Sequence, residues 1–197
     1  MNFLAHIYLS GNNEQVKIGN FIADSVKGNS YLSYPGLVQK GIILHRAIDF
    51  YTDTHPVVKK STHRLFKKYS HYSTVIVDIL YDHFLAANWE VYSDIPLDIY
   101  VDAFYGLLNK NLDLLPEKVQ AFLPFMIRDN WLLNYSSIEG IEKILYQMNV
   151  RTKGKSNMQQ AVKELQEYYS DFGKEFKLFF KDLIVFSKSK LSDLDKQ

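Results

Sequence analysis

Apolar residues recur at every third or fourth position along almost the whole chain, and strict alternation of polar and apolar residues over strand lengths is rare. Because one face of a helix repeats every 3.6 residues, this spacing predicts an all-α protein. Gly and Pro mostly mark the ends of the periodic segments, and Gly173 is a candidate break in the last one. The predicted helices cover residues 2–10, 13–27, 35–54, 56–70, 73–92, 96–110, 116–134, 137–149 and 156–192.

The sequence THP, residues 54–56, predicts a corner between two of these helices. Pro56 disfavours helical angles at His55 and suits the first turn of the following helix. No repeat, low-complexity segment or long linker divides the 197 residues, and this length suits one domain. We therefore expect a single-domain helical bundle of about eight or nine helices, with a tail that frays from about residue 190.

Composition narrows the class of protein. Hydrophobic residues make up 47% of the chain and the formal net charge is +1, which is typical of a compact protein and predicts no nucleic-acid partner. No apolar run approaches the roughly 20 residues of a membrane span, and the start MNFLAHIYLS lacks a basic segment before an apolar core, so we expect no membrane association. The absence of cysteine fits a reducing compartment, and we expect a cytoplasmic protein. Any bound metal must use His, Asp and Glu.

A row of polar residues interrupts the predicted helix in GIILHRAIDFYTDTHP, residues 41–56. His45, Asp49 and Asp53 recur at every fourth position, so a helix would stack them on one face. Such a row is more often a helix edge that faces water, where Arg46 would pair with Asp49 or Asp53 at little energetic consequence. An isolated row of this kind therefore favours the surface interpretation.

A second polar row changes that balance. In STVIVDILYDHFLAANW, residues 73–89, Asp78, Asp82 and His83 lie in a helix whose other positions are almost entirely apolar, so the helix should be buried. Buried carboxylates need cations or strong hydrogen-bond donors beside them, and this segment offers few basic side chains. A divalent cation between the two rows would satisfy both. Adjacent side chains on a helix point about 100° apart, so Asp82 and His83 can both reach one ion only from the rim of a cleft. Otherwise one of them binds the ion and the other acts through it.

The available ligand types narrow the choice of metal without settling it. His and carboxylate ligands in a chain without cysteine favour Mn²⁺, Fe²⁺, Zn²⁺ or Mg²⁺. Asp24, in KIGNFIADSVKG, lies among apolar residues and is a further candidate ligand. The alternative for a single acid on an apolar helix is a surface position or a capped turn.

These segments resemble the acyl-carrier-protein phosphodiesterase family, also called the acyl-carrier-protein hydrolase family. The resemblance rests on MNFLAH, GNFIAD, GIILHRAIDFYTDTHP and DILYDHFLAANW, with a weaker echo in RDNWLLNY, and it becomes vague after about residue 150. It implies an HD-domain-like helical fold and Mn²⁺-dependent removal of 4'-phosphopantetheine from holo acyl carrier protein, an acidic partner. Two departures are the order Asp82 then His83, where HD domains have His then Asp, and Ser25 in place of an aromatic residue.

The resemblance also implies roles for individual residues. It implicates Asp24, His45, Asp82 and His83 as metal ligands, and Asp49 as a ligand or a base that orients water. Arg46 is a candidate phosphate clamp, because its planar fork can hold two oxygens, although a salt bridge to Asp49 is an equally good interpretation. His6 is a candidate proton donor to the leaving serine oxygen, with a satisfied core histidine as the alternative.

A basic segment follows the first polar row. No acidic residue lies between Asp53 and Asp78, and this interval holds five cations at helical spacing: Lys59, Lys60, Arg64, Lys67 and Lys68. Such a run is usually a solvated face, but with the family resemblance it predicts a docking surface for an acidic carrier protein.

Two other functions remain open at this point. One is an HD-type metal phosphohydrolase that acts on a nucleotide or another small phosphodiester. The other is a non-catalytic helical module that binds an acidic partner, and that interpretation predicts no bound metal.

Overall fold

A computed structural model describes residues 1–196 of the chain. Within these residues it contains eleven α-helices, five short 3-10 helices and no strand, which confirms the all-α prediction. The α-helices are α1 (Phe3–Leu9), α2 (Glu14–Ile22), α3 (Gly36–Thr54), α4 (Pro56–Tyr69), α5 (Tyr72–Ala87), α6 (Leu97–Lys110), α7 (Glu117–Arg128), α8 (Trp131–Asn134), α9 (Ile138–Arg151), α10 (Ala161–Glu167) and α11 (Tyr169–Leu194).

The predicted number of about eight or nine helices is wrong, because two predicted helices are each interrupted. Asn130 adopts a left-handed conformation with φ of 45°, which ends the predicted helix 116–134 after α7 and starts the short α8. Tyr168, with φ of −108° and ψ of 24°, separates α10 from α11. The expected break at Gly173 does not occur. Gly173 lies inside α11, where a Cβ atom would come within 3.2 Å of the Phe84 ring, so this glycine allows close packing.

The C-terminal helix also differs from expectation. Although fraying was expected from about residue 190, α11 continues to Leu194, whose side chain is only 4% exposed. The ammonium of Lys40 lies 2.7 Å from the Asp195 carboxylate just beyond the helix, which ties this end to α3. Among the described residues, no helix combines the length and the apolar character that a membrane crossing requires.

Helix α5 lies at the centre of the molecule. Its side chains are buried around its circumference, including Ile76, Leu80, Tyr81 and Leu85, and α1, α4, α9 and α11 pack against it. Burial on all sides is what its nearly continuous apolar sequence predicts.

Helices α2 and α3 pack unusually close together, and two glycines allow it. A Cβ atom on Gly19 would lie 2.0 Å from the Val38 carbonyl oxygen, and one on Gly41 would lie 2.2 Å from the Val16 carbonyl oxygen. Any larger residue would force the two backbones apart. The contact fixes the residues that follow these glycines, including the first polar row of α3.

The corner predicted at residues 54–56 is confirmed. His55 has ψ of 130°, which is extended backbone, and Pro56 occupies the first turn of α4. The His55 ring caps the new helix, because its Nδ1 atom accepts a hydrogen bond from the Val57 amide at 3.3 Å. The corner separates the polar row of α3 from the basic segment of α4.

Candidate metal centre

A cavity of about 210 Å³ opens where α1, α3 and α5 meet. Its walls carry the carboxylates of Asp24, Asp49, Asp53 and Asp78 together with the imidazoles of His6 and His45. Met1 contributes its ammonium group, which lies 2.9 Å from one Asp78 oxygen. Even with His45 protonated, two positive charges do not balance four carboxylates, so the cavity as a whole favours a further cation.

Three side chains form the compact part of this cavity. One ligand atom from each of His6, His45 and Asp49 lies within 4.8 Å of the others. The Asp49 carboxylate faces both imidazoles, with Oδ1 at 3.2 Å from His6 Nε2 and Oδ2 at 3.0 Å from His45 Nε2. The two imidazole rings are stacked with centroids 4.0 Å apart. We call these three residues, which could hold a metal ion, the metal centre.

The first polar row therefore converges as the sequence predicts. His45 and Asp49 lie one turn apart on α3, and Asp53 lies a further turn along and lines the cavity. Asp24 comes from the 3-10 helix Ala23–Ser25, and its Oδ1 lies 3.2 Å from His45 Nε2. Its side chain is 70% exposed, so Asp24 stands at the mouth of the cavity.

Asn20, a residue that the sequence analysis did not identify, contacts both histidines from behind. Its Oδ1 lies 2.8 Å from His6 Nδ1 and 3.1 Å from His45 Nδ1, and its backbone carbonyl lies 2.8 Å from His45 Nδ1. These acceptors require a proton on both Nδ1 atoms, which leaves both Nε2 atoms for the cavity. The available signal was an amide among apolar residues, four positions before Asp24.

The two histidines of the metal centre have pKa values that are shifted in opposite directions. Burial, followed by the nearby charge of His45, lowers the pKa of His6 to about 4. Burial alone would also lower the pKa of His45, but its hydrogen bond to Asp24 and the close Asp49 carboxylate raise it to about 9. Burial would raise the pKa of Asp49, yet the two imidazoles lower it well below its usual range. The carboxylate is therefore ionised at neutral pH.

His6 shows that the site fits a metal ion. Its Nε2 is buried and makes no hydrogen bond within the described residues, although an Asp49 oxygen lies 3.2 Å away. With the proton on Nδ1, a neutral His6 presents a lone pair to an ionised carboxylate oxygen. Two lone pairs at that distance repel unless a cation lies between them. Two imidazole nitrogens and carboxylate oxygens are a ligand set for a divalent transition metal.

The second polar row does not converge on this centre, and the prediction that Asp82 is a ligand needs correction. Both Asp82 oxygens accept hydrogen bonds from the start of α1, from the Asn2 amide at 3.1 Å and the Leu4 amide at 2.8 Å. Asp82 is fully buried, and burial raises its pKa to about 7. It anchors the helix that carries His6. In this row only Asp78, which binds Met1, lines the cavity.

The predicted role of His83 as a ligand also needs correction. Its Nδ1 donates to the Tyr135 carbonyl at 2.8 Å, and its Nε2 lies 3.0 Å from the Tyr169 hydroxyl. Both nitrogens are thus used to tie α5 to the end of α8 and the start of α11. Because neighbouring helical side chains diverge by about 100°, His83 points away from the face that Asp82 uses.

Arg46 makes contacts that neither interpretation of the sequence included. Its Nη2 donates to the Val26 carbonyl at 3.1 Å and to the Gly28 carbonyl at 2.8 Å, and its guanidinium stacks on Tyr31 at 5.1 Å. Asp49 pairs with the histidines, so the expected salt bridge to Arg46 does not form. Arg46 instead holds the segment that follows Asp24 against α3.

The basic segment on α4 is partly neutralised. Glu175 of α11 pairs with Arg64 at 2.7 Å and with Lys60 at 3.2 Å, and Glu164 of α10 pairs with Lys68. The exposed Lys59 and Lys67 have no ion-pair partner within residues 1–196. Three of the five cations in the predicted docking surface are therefore already paired within the fold.

An all-helical fold whose open cavity gathers His and Asp side chains from separate helices can hold a metal ion, and a hydrolase can use such an arrangement. Sequence comparison specifies the family: the model of the acyl carrier protein phosphodiesterase family matches residues 1–183, and the chain belongs to that family.

Curated relatives agree with this assignment. An acyl carrier protein phosphodiesterase of Photorhabdus laumondii is 33% identical over 91% of both chains. One of Pectobacterium atrosepticum is 30% identical over 96% of this chain and 98% of its own. No solved structure matches the chain.

Proposed function

We propose that this protein hydrolyses the phosphodiester that joins 4'-phosphopantetheine to a serine of acyl carrier protein, with a divalent metal bound at the metal centre. The observation that carries the proposal is the buried His6 Nε2, which has no hydrogen-bond partner among residues 1–196 and faces the Asp49 carboxylate inside a cavity. The chain belongs to this family. Mn²⁺ is the metal that we propose because the family resemblance implies it; the His and carboxylate ligands would equally suit Fe²⁺, Zn²⁺ or Mg²⁺.

In this proposal His6, His45 and Asp49 hold the ion, and Asp24 is a fourth ligand at the mouth of the cavity. The ion would offset negative charge on the phosphoryl oxygens and lower the pKa of water. We assign His6 as a ligand instead of a proton donor, because its pKa of about 4 leaves the ring neutral at neutral pH.

Two further side chains would act on the substrate. Asp53 lines the cavity one turn beyond Asp49 and has no ion-pair partner within residues 1–196, so it can orient an attacking water. Arg46 lies one residue after His45, and its Nη1 and Nε atoms make no hydrogen bond within the same residues. These atoms can contact a substrate phosphate while Nη2 keeps its backbone bonds.

Acyl carrier protein would dock on α4, and we assign this role mainly to Lys59 and Lys67. Lysines that already pair with Glu175 or Glu164 have less free charge to offer an acidic partner than unpaired ones. The resemblance also leads us to propose a distant HD-domain relationship, a place in fatty acid metabolism and a cytoplasmic location.

Incubation of the purified protein with holo acyl carrier protein and Mn²⁺ tests the proposal. Intact mass spectrometry should show loss of the phosphopantetheine arm, and chelator should abolish the reaction. Asp49→Asn should be inactive, whereas Asp113→Asn, a matched change at an exposed aspartate, should retain full activity. Cleavage of a nucleotide panel with no loss of the arm would favour the small-phosphodiester alternative, and carrier binding without metal or turnover would favour the non-catalytic module.

Steady-state kinetics test the docking surface separately. Replacement of Lys59 and Lys67 by Gln should raise KM for the carrier protein much more than it lowers kcat, with the largest effect at low salt. The matched pair Lys60→Gln and Lys68→Gln should have a smaller effect on KM, because these lysines are already paired. An unchanged KM at low salt in the first variant would remove α4 as the docking surface.

A further inference from the structure

Asn20 is a fully buried polar residue on α2, at the point where α2 and α3 pack through their glycines. Burial of an amide is costly unless its donors and acceptor are all satisfied. The two ends of this amide meet different parts of the molecule, and each end can be assigned from its contacts.

The donor end fixes the orientation of the amide. Asn20 Nδ2 lies 2.9 Å from the His6 carbonyl oxygen, which can only accept. It also lies 2.9 Å from Ser10 Oγ, whose own proton goes to the same His6 carbonyl at 2.8 Å. Both neighbours therefore require a donor from Asn20, and the opposite atom must be the carbonyl oxygen.

The acceptor end contacts only the two histidine rings. Asn20 Oδ1 lies 2.8 Å from His6 Nδ1 and 3.1 Å from His45 Nδ1, and one amide oxygen has two lone pairs to offer. Its backbone carbonyl adds a second acceptor for His45 Nδ1 at 2.8 Å. One residue thus requires a proton on Nδ1 of both rings.

We propose that Asn20 is the positioning residue that sets the tautomer and orientation of both histidines, so that both Nε2 atoms face Asp49 across the cavity. Metal-bound histidines commonly donate their other ring N–H to an acceptor that fixes the ring and raises its basicity. Here a single amide supplies that acceptor to two rings. The inference rests on the proposed divalent metal site.

The acceptor role can be separated from a purely structural one. Asn20→Leu removes both ends of the amide at similar volume. Asn20→Asp keeps an acceptor for the two rings but loses the donors to His6 and Ser10. Ser10→Ala removes one donor contact and leaves the acceptor end intact. All three variants should lower thermal stability, but only Asn20→Leu should disturb the His6 ring, because the backbone carbonyl of residue 20 still accepts from His45 Nδ1 in every variant.

Two readouts on the full-length protein test this. In ¹⁵N-histidine NMR spectra of the metal-free protein at pH 7, His6 should carry its proton on Nδ1 in the wild type, in Asn20→Asp and in Ser10→Ala. In Asn20→Leu the proton should move to Nε2 in a substantial fraction of molecules. Titration with Mn²⁺ alone should give a Kd that is weakened roughly 10- to 100-fold in Asn20→Leu. In the other two variants the Kd should stay within about threefold of the wild type.

Several outcomes would overturn the inference. One is an Nε2 proton on His6 in the wild type, which can be judged even if Asn20→Leu does not fold. Another is a folded Asn20→Leu that keeps the Nδ1 proton or the wild-type Kd and loses only stability. A third is loss of the Nδ1 proton in Asn20→Asp. A wild type that binds no Mn²⁺ would refute the proposed metal site, whereas a wild type that binds Mn²⁺ with a Kd insensitive to Asn20→Leu would refute only the role of Asn20.

Discussion

Helices α3 and α5 each carry carboxylates and a histidine at helical spacing, yet the two rows serve different purposes. In α3, His45 and Asp49 turn their charged groups toward a cavity and toward each other. In α5, Asp82 binds backbone amides of α1, and His83 binds Tyr135 and Tyr169. In the proposed function the first row binds a cation, whereas the side chains of Asp82 and His83 in the second row are satisfied within the fold. The same residue types thus line a candidate metal site in one helix and serve as structural anchors in the other.

The largest difference between the rows should be in activity. Asp49→Asn removes the charge that faces both imidazoles, so we expect the rate of phosphopantetheine release to fall by more than about 100-fold. Mn²⁺ affinity should fall with it while the helical circular dichroism stays unchanged. An active Asp49→Asn would contradict the assignment of α3 as the metal-binding row.

Asp82→Asn should instead act on stability. An amide nitrogen would face the backbone N–H groups of Asn2 or Leu4, and we expect a loss of about 2 to 4 kcal/mol in the free energy of unfolding. Urea denaturation measures this loss, and Mn²⁺ affinity of the folded protein should change by less than about tenfold. A large loss of Mn²⁺ affinity without loss of stability would indicate that Asp82 is a metal ligand.

The pH dependence of stability sharpens the contrast. Burial raises the folded-state pKa of Asp82 to about 7, above its unfolded value of about 3.9. Between these values the folded protein keeps a proton that the unfolded chain has released. The contribution of Asp82 to the free energy of unfolding should therefore fall as pH rises, by at most about 1.4 kcal/mol per pH unit. The difference in the free energy of unfolding between wild type and Asp82→Asn should become smaller from pH 4.5 to pH 7. A constant difference would contradict the raised pKa of Asp82.

The smallest expected effect concerns the contact between His83 and the Tyr169 hydroxyl. Tyr169→Phe removes only the hydroxyl that contacts His83 Nε2, and we expect a loss of about 0.5 to 1.5 kcal/mol in the free energy of unfolding. Mn²⁺ affinity and turnover should match the wild type. A marked loss of either would connect His83 to the metal centre, contrary to its position in the fold.

Local signals in the sequence predicted most of the fold and one of the two rows. Apolar periodicity specified the helices, and Pro56 specified the corner, because both depend on neighbouring residues. The break at Asn130 was not predictable in this way. Residues beside it are held by a distant helix, since the Leu132 amide donates to the Tyr105 hydroxyl of α6 at 3.0 Å.

The second row was misassigned because helical spacing fixes which residues share a face but does not identify what lies opposite. The partners of Asp82 are backbone amides about 80 positions earlier in the chain, and backbone groups leave no mark in sequence. Asn20 was missed for a related reason. An amide does not titrate, so Asn20 was not considered a candidate site residue. Its role comes from contacts with His6 on α1 and His45 on α3, which only the folded structure shows.

The most direct test of the account is the location of Mn²⁺ in crystals of the full-length protein, from anomalous diffraction. We predict a peak about 2.1 Å from His6 Nε2, His45 Nε2 and an Asp49 oxygen, with Asp82 still bound to the amides of α1. A peak coordinated by Asp82 or His83, with none between the two stacked histidines and Asp49, would contradict it.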